Sequence, residues 1–254
     1  MATNGMGVTE SIVHSPRSAA AGYVYRNTMG MVPSAEFAVF FDDFLGFNAA
    51  TSYAPAGWTT ILSSGGTVLP VVTAGLGNTG VISLFDATAD EGAAILAASA
   101  AAVGPVQLTV GKRAYMEFRV YANDVTDNIF MMGLTKATDI TLPQDMYDTS
   151  TDDLLAIGIL DGSATIRILT DTVNAGITNA ATTGTMVAAT WTTLAIAWDG
   201  IATARAYQDG AEIASTTTTI PTGVTLTPFV SAVNGNGAGG NLNYVDYVRY
   251  AIER

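Results

Sequence analysis

From Phe37 onward the chain is a succession of short apolar runs broken by Gly, Asp, Asn, Pro and Thr at intervals of about 8 to 12 residues, the rhythm of an antiparallel sandwich or barrel. Trp191-Thr-Thr-Leu194-Ala-Ile196-Ala-Trp198 alternates large apolar residues with small ones. Asp199-Gly200 then offers the positive φ of a tight turn, and Ala204 to Tyr207 runs back. A second Asp-Gly at Asp209-Gly210 leads into Ala211-Glu-Ile213-Ala, so three strands form a meander. A third, Asp161-Gly162, joins Leu154–Leu160 to Ala164–Leu169, with Ile166 and Ile168 on one face and Arg167 on the other. Tyr115–Val120 and Tyr244–Tyr250 each read as a strand with one polar face. The alanine-rich window Asp90–Val103 favours a helix by propensity alone. Its apolar positions lack helical period and its flanks are strand-like, so a strand near Ala93–Ala98 followed by a loop is expected. No long helix is required anywhere.

Residues 1–36 follow neither period and are rich in Gly, Ser, Ala and Met, which predicts an irregular N-terminal arm ahead of a domain spanning 37–254. The composition narrows the function. Ten Lys and Arg against 22 Asp and Glu give a net charge of −12, which opposes nucleic acid and anionic membrane as partners. The absence of Cys and the single His exclude disulfides, a thiol nucleophile, Cys-ligated zinc and any multi-histidine site. No apolar stretch has the roughly 18 to 20 residues of a membrane span, and no basic region followed by an apolar run marks a signal peptide. Only 13% of residues are charged, so a surface partly covered by neighbours is expected.

The segment W-T-T-L-A-I-A-W-D-G, followed by A-Y-Q-D-G-A-E-I-A up to Ala214, resembles the paired central strands of concanavalin A-like, laminin-G-like jelly rolls. Phe40-Phe-Asp42-Asp43-Phe44 and Tyr244–Tyr250 are similar to the first and last strands of such a sandwich, so the resemblance runs from about Phe37 to Arg254. It implies an all-β concanavalin A-like jelly roll of antiparallel strands with an extended N-terminal arm. The version it resembles most is that of tailed-bacteriophage structural proteins, such as head decoration proteins, head fibres and tail-associated modules. That resemblance implies a capsid decoration or cement protein, made in the host cytoplasm and carried on the virion surface. The arm would bind the major capsid protein or other virion proteins through Ile12, Val13, Tyr23, Val24, Tyr25, Arg26, Met29, Met31 and Val32. Reuse of one interface by rotation predicts a homo-oligomer, with a trimer as the first expectation. The alternative is a carbohydrate-binding adhesion module of a head or tail fibre, touching host glycans.

Glucanases of this fold carry an E-x-D-x-x-E strand; here Glu117 is followed by Arg119, and the expectation is an outward polar face and no enzyme. Asp42-Asp43 and Asp152-Asp153 could serve a calcium ion but read as solvated turn residues, and His14 has no catalytic neighbours at recognisable spacing. No catalytic residue, metal or cofactor is therefore assigned. The glycines of Val233–Asn241 lack the Lys-Ser/Thr and helix of a phosphate loop and read as an inter-strand loop. Tyr23, Tyr25, Trp58, Tyr147 and Tyr207 could stack on sugars, whereas Trp191, Trp198 and Tyr207 fit core or rim.

Overall fold

The computed structural model describes residues 37–42, 44, 58–70, 80–97, 106–136, 142–146, 153–172, 177–235 and 240–253. The arm and its nine residues, with His14, Asp43, Tyr147 and Asp152, lie outside them.

Among the described residues, sixteen strands form two antiparallel sheets. The first sheet contains β14 (Ala211–Thr216), β13 (Ala204–Gln208), β12 (Thr192–Trp198), β7 (Ala114–Ala122), β16 (Leu242–Glu253), β4 (Ile82–Phe85) and β3 (Thr67–Pro70) in that order, with β1 (Phe37–Asp42) also paired to β16. The second runs β11 (Thr178–Thr185), β10 (Ser163–Asp171), β9 (Leu154–Leu160), β8 (Asn128–Thr135), β15 (Thr225–Asn234), β5 (Gly92–Leu96) and β2 (Thr59–Leu62), with β6 (Val106–Gln107) on β15. Among the described residues the helical content is one 3₁₀ turn, Pro143–Met146.

Period-2 alternation sends Met116, Phe118 and Val120 of β7, with Leu194, Ile196 and Trp198 of β12, into the space between the sheets. They meet Phe130, Met132 and Leu134 of β8 and Leu155, Ile157 and Ile159 of β9, all fully or almost fully buried. Each such side chain contributes about 1.5 to 3 kcal/mol on leaving water. The alanine-rich window resolves as expected at its start. β5 is a strand, its five residues all buried and paired with β15, because tertiary pairing outweighs alanine's helical preference.

The predicted meander β12-β13-β14 forms, and Asp209 and Gly210 both take positive φ (48° and 86°) in a two-residue turn that matches strand twist. Asp199-Gly200 differs. The connection runs through five residues, because the Asp199 carboxylate accepts the backbone N–H groups of Ile201, Ala202 and Thr203 at 2.8, 2.9 and 3.0 Å and so rounds the loop.

Where β11 and β14 end their sheets, side chains close the seam. Gln208 accepts from the Thr185 N–H (3.3 Å) and donates to the Thr185 carbonyl (2.9 Å), while the Thr183 hydroxyl donates to the Ile213 carbonyl (3.1 Å). These bonds occupy edge groups that would otherwise template another strand.

Neither outer face is simply polar. On the second sheet Ile61, Leu96, Met131, Leu154, Leu169 and Phe229 form a second buried cluster. The Ser231 hydroxyl on this face donates to the Pro143 carbonyl and ties the 3₁₀ turn over it. Asp153, expected in a solvated turn, is 3% exposed, because it leads directly into β9.

Candidate functional site

Among the described residues, the outer face of the first sheet brings several polar and aromatic side chains together. Odd-numbered residues of β7 point there: Tyr115, Glu117, Arg119 and Tyr121, opposite the core-facing even positions. On β16 a bulge supplies the rest. Val245 pairs with Val120 and Tyr247 with Arg119, so Asp246 is an extra residue that lets Tyr244, Asp246 and Tyr247 all serve this face.

Two groups result. In the first, Glu117 lies between its register partners Ala195 and Arg249 and is 1% exposed. The Tyr115 hydroxyl donates to its Oε2 at 2.7 Å, the Tyr247 hydroxyl donates to its Oε1 at 2.8 Å, and Arg249 Nη1 stands 3.4 Å from Oε1. The predicted outward face with Glu117 and Arg119 forms, with one correction: Glu117 is covered, its charge matched by two phenols and a guanidinium. Ala195, Ala197, Tyr115 and Tyr207 surround it as a small buried cluster.

In the second group Arg119 donates to Asp246 and stacks over the Trp191 ring, its guanidinium carbon 4.7 Å from the centroid. Tyr121 packs at a tilt against Trp191 (5.5 Å) and against its register partner Tyr244 (5.3 Å). Burial raises the Tyr244 hydroxyl's pKa, helped by the neighbouring Tyr121. Trp191, Tyr121, Arg119 and Asp246 all remain partly exposed, so this group is the reachable part of the face.

The aromatics singled out for sugar contact do not gather here. Trp58 is 5% exposed and packs on Phe44, and Tyr207 is 7% exposed; their positions between apolar neighbours draw them inward. Trp191, read as core or rim, is the aromatic that stays at the surface, while Trp198 is core. The glycine-rich connection is the link from β15 to β16, as expected, with residues 236–239 outside the described set.

The family model for the concanavalin A-like lectin/glucanases superfamily matches residues 135–248. The fold is concanavalin A-like. Solved structures agree with that concanavalin A-like assignment over most of the chain. A protein of unknown function from Shewanella oneidensis MR-1 superposes with a TM-score of 0.58 at 12% identity, covering 89% of this chain and 91% of that one. The Emp47p carbohydrate recognition domain gives 0.54 at 12% identity, covering 85% and 97%. A Bacillus licheniformis β-glucanase gives 0.51 at 16% identity, covering 84% and 97%. No curated protein matches the sequence. Both binding domains and enzymes thus share this concanavalin A-like architecture, which leaves activity to be argued from the site itself.

Proposed function

We propose that this chain is a non-catalytic adhesion module that holds carbohydrate against the Trp191 patch. The observation that carries the reading is the partly exposed Trp191–Tyr121 pair beside the Arg119–Asp246 ion pair. An aromatic ring offers an apolar face to sugar C–H groups, and an adjacent guanidinium and carboxylate offer donors and acceptors to hydroxyls. Catalysis is disfavoured by the same face. A retaining glycosidase needs two carboxyl groups about 5 to 5.5 Å apart. Here Arg119 follows Glu117 on the strand's polar side, and Glu117 is buried among three donors.

Affinity electrophoresis against a polysaccharide panel tests this. Saturable retention should fall at least about tenfold in Trp191→Ala, the loss expected when one stacking contact goes, and persist in Tyr207→Phe. Retention by no polysaccharide, or retention indifferent to Trp191→Ala, would sink the reading.

A second reading is a virion decoration protein anchored through residues 1–36. It is supported by the uncharged composition of β11, Thr178–Thr185, whose Asn179 and Ala181 stay exposed beyond the contacts that Thr183 makes with β14 and Thr185 with Gln208 of β13. In it the module sits as a homo-oligomer, first expected to be a trimer, on the major capsid protein. Deleting residues 1–32 should abolish capsid binding while leaving a folded domain, and ultracentrifugation should show self-association of the full chain. Unaltered capsid binding after the deletion would exclude an arm-borne anchor.

A further inference from the structure

On the outer face of the first sheet, β12 carries the smallest side chains. Ala195 and Ala197 present only methyl groups there, and their register partners rise on both sides: Glu117 and Tyr115 of β7 on one, Tyr207 and Arg205 of β13 on the other. The result is a trough along β12 whose walls stand two strand spacings apart, about 9.5 Å. The trough is covered. Tyr115 is 1% exposed and Ala195 3%, yet both stand on the outermost side of a two-sheet sandwich. Neighbouring strands flank such a side chain but leave the end that points away from the sheet to water unless something lies over it. Among the described residues no third layer does so: the strands all belong to the two sheets, and the 3₁₀ turn Pro143–Met146 is tied to Ser231 on the opposite side of the molecule.

The register of β1 points to the source of the cover. Ala38, Ile252, Ala114 and Trp198 form one row across β1, β16, β7 and β12, so the start of β1 is level with the end of the trough and three strands away from it. Three spacings are about 14 Å, a gap that about five extended residues cross at 3.3 Å each. Residues 32–36 therefore suffice to bring the preceding part of the chain to β12. That part suits a dry trough: residues 18–35 carry one charge, Arg26, and include Tyr23, Val24, Tyr25, Met29 and Met31. We infer that residues 18–35 dock along β12 of their own chain, laying apolar side chains over Ala195 and Ala197 between the Tyr115 and Tyr207 walls. Docking there shields the Glu117 cluster from water. It leaves Trp191 clear, because that residue precedes β12 at the far end of the strand, so the inference stands apart from the carbohydrate reading.

The chain has no cysteine, so disulfide trapping in the full-length protein is a clean test. Ala197→Cys is combined in turn with Tyr23→Cys, Met29→Cys and Val32→Cys under mild oxidation; a bond closes only where the Cα atoms come within about 7 Å. At least one pair should close within a single chain, in a yield that does not change with protein concentration. Hydrogen exchange gives the second readout: amides of residues 18–35 should exchange at least about tenfold more slowly in the wild-type chain than in Ala195→Trp, whose indole fills the trough. Closure of no pair would overturn the inference. So would closure only between chains, which would give the trough to the arm of a second copy, and so would equal exchange of residues 18–35 in the two proteins. If Ala195→Trp does not fold, the disulfide result decides.

Discussion

Arg249 of β16 and Glu117 of β7 are direct register partners, and the guanidinium reaches the carboxylate at 3.4 Å on a face where both are largely withdrawn from water. Removing one member of such a pair strands the other. Glu117→Ala should therefore destabilise by about 3 to 5 kcal/mol in urea unfolding. Glu117→Gln should cost less, since the amide oxygen still accepts from one tyrosine. A double-mutant cycle with Tyr247→Phe should show coupling, and additive losses would mean that the tyrosine bond is energetically idle.

Asp199 is lowered in pKa. Its partial burial works against this, but the N–H groups of Thr203, Ile201 and Ala202 together win. A carboxyl lowered in the folded state contributes stability that is present above the unfolded value of about 3.9 and is lost as pH falls through the folded value. Asp199→Ala should cost about 1 to 2 kcal/mol at pH 7, comparable to loss of a capping side chain. The deficit should shrink as pH falls through the folded value; a deficit unchanged in strong acid would point to packing instead of charge.

Asp171 behaves in the opposite sense. Burial raises its pKa, the Thr172 N–H opposes the rise, and the nearby Asp153 adds to it. Because the folded chain holds this proton more tightly than the unfolded one, stability is full below the unfolded value and declines as pH climbs through the folded value. Asp171→Asn should raise the melting temperature at pH 7 and lose that advantage near pH 3. A variant that melts lower at both pH values would show an unrecognised partner of the charged form.

Gly158 sits in β9 where a Cβ would come within 2.0 Å of the Phe130 carbonyl oxygen and 2.8 Å of Met131 Cα on β8. Both obstacles are backbone, so neither can swing aside. Gly158→Ala should cost about 3 kcal/mol or more, the upper range for overfilled interiors. A melting temperature within a degree of wild type would contradict that packing.

The strands were legible because their alternation is local, and the Asp-Gly pairs marked three connections correctly in place. What the sequence concealed was depth. Glu117 read as water-facing because an alternating strand is assumed to have one wet side, and Asp153 because an acidic pair in a loop is assumed to be solvated, yet partners for Glu117 come from residues as distant as Tyr247 and Arg249. The bulge at Asp246 was equally hidden: an extra residue leaves Val245 and Val248 both facing the core, three apart, within a run that looks like plain alternation. Trp191 could be read only as core or rim because it directly precedes a strand whose next residues are buried.

β16 touches β7 along one side and both β4 and β1 along the other, with Leu242–Val245 against β4 and Val248–Glu253 against β1. Synthesis delivers this strand after every strand it joins. During translation the first sheet is therefore three unconnected pieces, β1 alone, the β3–β4 pair, and β7 with β12, β13 and β14, each with an open border awaiting the same segment. The segment that joins them follows them all in chain order, so this sheet is most vulnerable to mispairing before β16 is made, and its folding should become cooperative only once β16 has emerged from the ribosome.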